Sequence, residues 1–153
     1  MPNEKRARAT RADYPVFQTV PTRWADNDIY GHANNAVYYL WIDTAVNRLL
    51  IERGTLAPGR SDVFGIVVEN GCRFHAEISY PDLVTIGLRI SRLGTSSIRY
   101  ELGIFRNDED VAAAEAHFVH VYVARETMRP VPIPANVRQA LADLVGADLT
   151  REE

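Results

Sequence analysis

The chain has a single cysteine, Cys72, among its 153 residues. One thiol forms no internal disulfide, and no cysteine cluster offers a zinc site. Charge of one sign is also lacking: the net charge is −3, so no global field draws the chain to nucleic acid or an anionic membrane. The opening MPNEKRARATRADY is basic and polar and holds no apolar run. It reads as neither a secretory signal nor a membrane span, and a cytoplasmic location is the expectation. No serine stands in a Gly-X-Ser-X-Gly context, which excludes the nucleophile elbow of a serine hydrolase. Internal repeats, linkers and low-complexity segments are missing too.

The composition that remains is that of an ordinary globular domain, 46% apolar and 24% charged. The length suits one core. The reading is a single domain over residues 14–146, a disordered, solvated basic tail at 1–13 and a C-terminal tail at 147–153. From Pro15 to Thr22, Val16, Gln18, Val20 and Thr22 alternate with Phe17 and Thr19, the period of a strand. Trp24 to Asn35 is polar, contains Gly31 and reads as a loop. From Ala36 to Arg53 neither Gly nor Pro interrupts the chain, and Asn34 or Asn35 is placed to cap a helix there. Its apolar residues cover most of the circumference, which predicts a buried helix. Gly54 ends it with a residue tolerant of positive φ.

Residues 55–62 form a loop, and the rest is β structure. Phe64 to Ile78 holds one long strand or two short ones. Alternation then marks Val84–Ile90, Ile98–Ile104 and Ala113–Val123, the last with Val119, Val121 and Val123 on one face. His75, His117 and His120 fall in these patterns as half-buried sheet residues. Turn signals at Tyr80-Pro81-Asp82, Gly94-Thr95 and Asn107–Asp110 separate the runs. A short amphipathic helix follows Pro134. The order predicts an α+β domain: one antiparallel sheet curled around a long helix, with an edge that favours pairing with a second copy.

Chemistry concentrates in Arg23-Trp24-Ala25-Asp26-Asn27-Asp28-Ile29-Tyr30-Gly31-His32-Ala33-Asn34-Asn35. Two carboxylates stand directly before Gly-His and a helix start. Helix N-termini present unpaired N–H groups and a partial positive charge, which stabilise an oxyanion. A carboxylate beside them can attack a carbonyl or activate a water to do so. From spacing alone, turn and capping duties for Asp26, Asp28 and Asn34 are the stronger reading. Asp-X-Asp near His32 hints at a metal, but no second cluster stands at ligand spacing, so neither metal nor other cofactor is expected.

The run RWADNDIYGHANNAVYYLWIDTA resembles the signature of the 4-hydroxybenzoyl-CoA thioesterase branch of the hotdog-fold superfamily. The likeness continues through GCRFHAEISYPDLVTIGLRISRLGTSSIRYELGIF and AEAHFVHVYVA, and spans roughly residues 16–133. It implies a hotdog fold, a five-stranded antiparallel sheet wrapped around a central helix, paired subunits with the active site between them, and hydrolysis of an acyl-CoA substrate. Position by position, Asp28 matches the catalytic aspartate, acting as nucleophile or general base. The amides from Gly31 to Asn35, including His32 and Asn34, match the group that polarises the thioester carbonyl. Asn35 stands where some relatives have His or Tyr, and an amide orients groups without titrating. Trp24 stands where some have Tyr, and Asp26 is assigned to bracing the loop. Arg92, Ser96 and Ser97 resemble the region that meets the nucleotide end of coenzyme A. The competing readings are a thioesterase acting on acyl carrier protein, a hotdog dehydratase or hydratase, and a non-catalytic acyl-thioester-binding protein. Tyr38, Tyr39, Trp41, Phe64 and Phe74 are candidates for a pocket lining and equally for core packing.

Overall fold

The computed structural model describes residues 7–146. In chain order the main elements are β1 (Val16–Pro21), α1 (Asn35–Glu52), β2 (Val63–Phe74), β3 (Leu83–Leu93), β4 (Ser97–Arg106), β5 (Ala114–Ala124) and α2 (Ala135–Leu141). The strands make one antiparallel curled sheet in the order β1-β3-β4-β5-β2. β1 and β2 are therefore its edges. The stretch from Phe64 contributes one strand, β2, bent by an irregularity between Val67 and Glu69. Such a bulge bends and twists an edge strand without ending it.

α1 lies on one face of the sheet. Asn34 caps it, its side chain accepting from the Ala36 N–H. At the other end Gly54, with φ +73, turns the chain back. The Gly54 N–H donates to Ile51 O and the Thr55 N–H to Leu50 O, which satisfies two end carbonyls. Tyr38, Trp41, Ile42, Ala45, Val46, Leu49 and Leu50 are buried. They share one core with Ile86, Leu88, Ile90, Ile98, Leu102 and Ile104 from the sheet. Each buried Val, Leu or Ile among them contributes about 1.5–3 kcal/mol on leaving water. Burial over most of the circumference is not what the chain shows: Leu40 is 51% exposed and Ile51 47% exposed. One chain supplies a sheet for only one side of the helix.

The alternation of β5 leaves its facing open, and the structure settles it. Ala114, Ala116, Phe118, His120 and Tyr122 are buried on one face, while Val119 and Val121 on the other are half-buried and only Val123, at the strand end, is buried there. The valine stripe was legible, but the aromatic stripe is the one that meets the core. His120 is thus fully buried, His117 sits on the outer face with Nε2 2.9 Å from Glu69, and His75 falls just beyond β2.

Residues 7–13 are ordered, unlike the disordered tail expected there; residues 1–6 and 147–153 lie outside the described part. Arg8 donates to Ala112 O, and Arg11 to Asn107 O and Glu109 O. Tyr14 then lies on the outer sheet face over Gly87 and Gly103, where an added Cβ would come within 2.7 and 2.5 Å of its ring. Ala9, Tyr14, Phe105 and Ala112 form a second small core on that face. The basic character masked this: arginines reaching backbone carbonyls read in sequence like a solvated tail.

Candidate active site

The segment before α1 is built around Asp26. Its side chain is almost wholly buried and accepts from the Arg23 N–H at 2.8 Å and from the Arg23 guanidinium at 2.7 and 3.0 Å. Its own carbonyl accepts from the Asn34 N–H at 2.9 Å. Asp26 thus braces the loop. Asp28 begins a tight reversal inside that brace. The Asp28 N–H donates to His32 O, and the Gly31 N–H returns to Asp28 O. Gly31, at φ +84, takes a conformation that costs an L side chain strain. Asp28 Oδ1 accepts from the Tyr30 N–H at 2.9 Å, an Asx turn that fixes its carboxylate. The Ala33 N–H reaches Ile78 O at 2.7 Å, and the Tyr80 N–H reaches Asn27 Oδ1 at 3.0 Å. These two bonds pin the loop to the segment that leaves β2.

A cleft of about 590 Å³ opens between the two segments. Asp28, His32, Asn35 and Tyr38 line one wall; Phe74, His75 and Glu77 line the other. Tyr38 and Phe74 meet edge to face with centroids 4.9 Å apart. Of the amides from Gly31 to Asn35, three are already engaged. Gly31 donates to Asp28 O, Ala33 to Ile78 O and Asn34 to Asp26 O. Asn35 is the first residue of α1, where an N–H has no intrahelical acceptor. The N–H groups of His32 and Asn35 are the two of the five left without a backbone acceptor, and both residues line the cleft. His32 Nε2 lies 2.9 Å from Glu77 Oε2. His75 Nε2 lies 2.8 Å from Glu115 Oε2.

Asp28, His32 and Asn35 are thus brought together, with Gly31 and Asn34 shaping the turn and the cap. Glu77 and His75 were not foreseen. Nothing in their spacing marks them, because they reach the cleft through the pairing of loop and post-β2 segment. Arg92, Ser96 and Ser97 stand elsewhere. They occupy the β3–β4 turn, whereas the Asp28 loop adjoins the Leu83 end of β3. Nine residues of extended strand separate Leu83 from Arg92, roughly 30 Å. Trp24 is 76% exposed and packs edge-on against Tyr80. Of the other aromatic candidates, Trp41 is core, Tyr39 packs against the core, and Phe64 lines a separate cavity.

Burial pushes the Cys72 thiol up to about 12, so at neutral pH it stays protonated and is no nucleophile. Among the described residues no group of three or more His, Cys, Asp or Glu could hold a metal ion. None of the described helices is long and apolar enough to cross a membrane.

A carboxylate and a helix-start N–H in one cleft form an arrangement suited to attack on a carbonyl. Residues 22–141 match the model of the thioesterase-like superfamily, and the chain belongs to that family. No curated protein matches it. Among solved structures it is similar to the PA5185 protein of Pseudomonas aeruginosa, with 48% identity, a TM-score of 0.89, and coverage of 92% of this chain and 98% of that one. PA2801 of the same species, described as a candidate thioesterase, has 28% identity and a TM-score of 0.75, over 81% and 95% of the two chains. The gentisyl-coenzyme A thioesterase BH1999 has 25% identity and a TM-score of 0.73, over 82% and 99%. The fold is that of the hotdog-like thioesterases.

Proposed function

We propose that the chain is a cytoplasmic acyl-CoA thioesterase in which Asp28 is the catalytic carboxylate. The observation that carries this reading is the shared cleft: Asp28 and Asn35, the first residue of α1, both line it. A thioester bound there with its carbonyl oxygen on the Asn35 N–H presents its carbon to Asp28. Attack by Asp28 gives a tetrahedral oxyanion that the helix start stabilises. Collapse breaks the C–S bond, and water then hydrolyses the acyl-aspartate. In the alternative course, Asp28 takes a proton from the water that attacks directly. Both release a free acid and coenzyme A. His32, which lines the same cleft and lies 2.9 Å from Glu77, is the group this reading assigns to protonate the departing thiolate.

The reading includes at least a homodimer with α1 as its enclosed central helix. β2 is a long edge strand exposed over Val67–Asn70, and a second copy is the natural cover for such an edge. Ser97, Val121 and Ile66 stand side by side across β4, β5 and β2. Antiparallel pairing of two β2 edges therefore turns the Arg92–Ser97 region of a second copy toward the Asp28 end of the first. There it can meet the nucleotide of coenzyme A.

The lining of the cleft includes Asp28 and Glu77 and no Lys or Arg. Both coenzyme A and an acidic carrier protein are anionic, so the choice between them falls to the substrate test. The test is thiol release by the purified chain across short, long, branched and aromatic acyl-CoAs, with acyl carrier protein thioesters alongside. Hydrolysis confined to the carrier-protein thioesters, or absent from every acyl-CoA, would overturn the assignment.

A further inference from the structure

A second, more enclosed cavity of about 150 Å³ lies beneath the C-terminal half of α1. A space of that size holds one six-membered ring. Leu50, Leu56 and Phe64 give it an apolar wall; Asn47, Thr55, His120 and Tyr122 give it a polar one. The Asn47 amide is committed to Asp43 and the Thr55 hydroxyl to Leu50 O. His120 differs. It is only 2% exposed, it packs edge-on against Phe118 at 4.8 Å, and its Nδ1 has no hydrogen-bond partner. A buried, unsatisfied polar nitrogen beside a cavity calls for an explanation. Gly65 contributes to the space: a Cβ there would lie 2.8 Å from the His120 ring.

Within one chain this cavity and the Asp28 cleft sit at opposite ends of β2, at Phe64–Gly65 and at Phe74. Nine residues of strand are roughly 30 Å, too far for one compact acyl group. An antiparallel pairing of two β2 edges centred on the exposed Val67–Asn70 run exchanges the ends. Phe74 of one copy then stands opposite Val63–Phe64 of the other, and each cleft faces the cavity of the opposing chain.

Resting on the acyl-CoA thioesterase reading above, we propose that His120 is a specificity-determining residue: the cavity it lines receives the far end of an acyl group whose carbonyl lies at the Asp28 cleft of the opposing copy, and it selects acyl groups with a hydrogen-bonding tip. An apolar pocket barely discriminates hydroxyl from methyl, whereas a buried polar group left unpaired by the methyl compound discriminates strongly.

The probes are 4-hydroxybenzoyl-CoA and 4-methylbenzoyl-CoA, nearly equal in size. Wild type should prefer the hydroxyl compound in kcat/KM by about 10-fold or more. His120→Leu should abolish that preference while still hydrolysing the methyl compound, and His120→Asn should retain part of it. The exchange of ends has its own readout. Mixing Asp28→Asn chains with His120→Leu chains should restore hydroxyl-selective hydrolysis, because one site of the mixed dimer then combines a native Asp28 with a native His120. This second test needs only dimers that assemble, which light scattering verifies. An unchanged preference in His120→Leu, a wild type indifferent to the hydroxyl, or no recovery in mixed dimers would overturn the proposal. No thiol release from any acyl-CoA would instead overturn the function on which it rests.

Discussion

Asp28→Asn separates chemistry from folding at the position on which the function depends. An asparagine Oδ1 can accept the Tyr30 N–H as Asp28 Oδ1 does. The Asx turn, a bond of about 1 kcal/mol, is therefore retained, and the cleft keeps its shape. What is lost is a nucleophilic or basic oxygen facing the carbonyl. That loss lowers kcat by roughly 10²-fold or more, about 2.7 kcal/mol in the barrier. KM should change little, since the amide leaves the helix-start donor and the cleft walls in place. Asp26→Asn is the matched contrast, because Asp26 touches the loop and not the cleft. Its carboxylate accepts three donors from Arg23 while almost wholly buried. An amide there loses the charge and turns a donor toward donors, at a cost of about 1.5–3 kcal/mol. The melting midpoint should fall by roughly 5 °C or more. Thiol release and thermal melting on both variants form the assay. If Asp28→Asn stays within a few-fold of wild type, or if its activity loss merely tracks lost stability, the reasoning is refuted.

Acid should destabilise the fold through His120. Burial lowers this imidazole from its ordinary 6.5 to about 4; between those values the unfolded chain binds more protons, so its share of stability is complete above about pH 6.5 and is lost as pH falls through 4. A gap of that width is about 3 kcal/mol, and denaturant melts between pH 7 and pH 4 should show a slope that His120→Leu flattens. Arg92→Ala should raise KM for acyl-CoA more than it lowers kcat, since a remote phosphate contact is made equally in ground and transition states; an unchanged KM removes Arg92 from the site. Gly103→Ala should push Tyr14 off the outer sheet face and lower the melting midpoint, as its Cβ would come 2.5 Å from the ring; a midpoint equal to wild type would contradict this packing.

The elements were legible wherever a local rule decides them. The uninterrupted run after Asn34 and the stop at Gly54 bound α1 to within a residue, because a cap and a positive-φ residue act on their immediate neighbours. Alternation located β1, β3, β4 and β5 for a similar reason, while β2 was read only as one long strand or two short ones. It did not say which face of β5 meets the core, since that depends on whether Val119 or Phe118 finds α1 opposite, a tertiary fact. The candidate site divides the same way. The loop from Arg23 to Asn35 announces a carboxylate beside a helix start. Glu77 and His75 join it only through hydrogen bonds between segments more than forty residues apart. Likewise the count of available amides could not be read beforehand. It depends on Ile78 O and Asp26 O claiming Ala33 and Asn34.

The N-terminal segment changes the character of the outer sheet face. By laying Tyr14 across Gly87 and Gly103, with Phe105 and Ala112 beside it, the chain roofs over the β1-β3-β4 half of the sheet face turned away from α1. The other half of that face is a charged lattice in which Arg99 joins Glu69 and Glu101 and His117 joins Glu69. That face is therefore mixed, with Tyr14 laid over one half and ion pairs beside the half-buried Val119 and Val121 on the other. On the helix side of the single chain Leu40 and Ile51 face water, so the larger apolar exposure lies there and not behind the sheet.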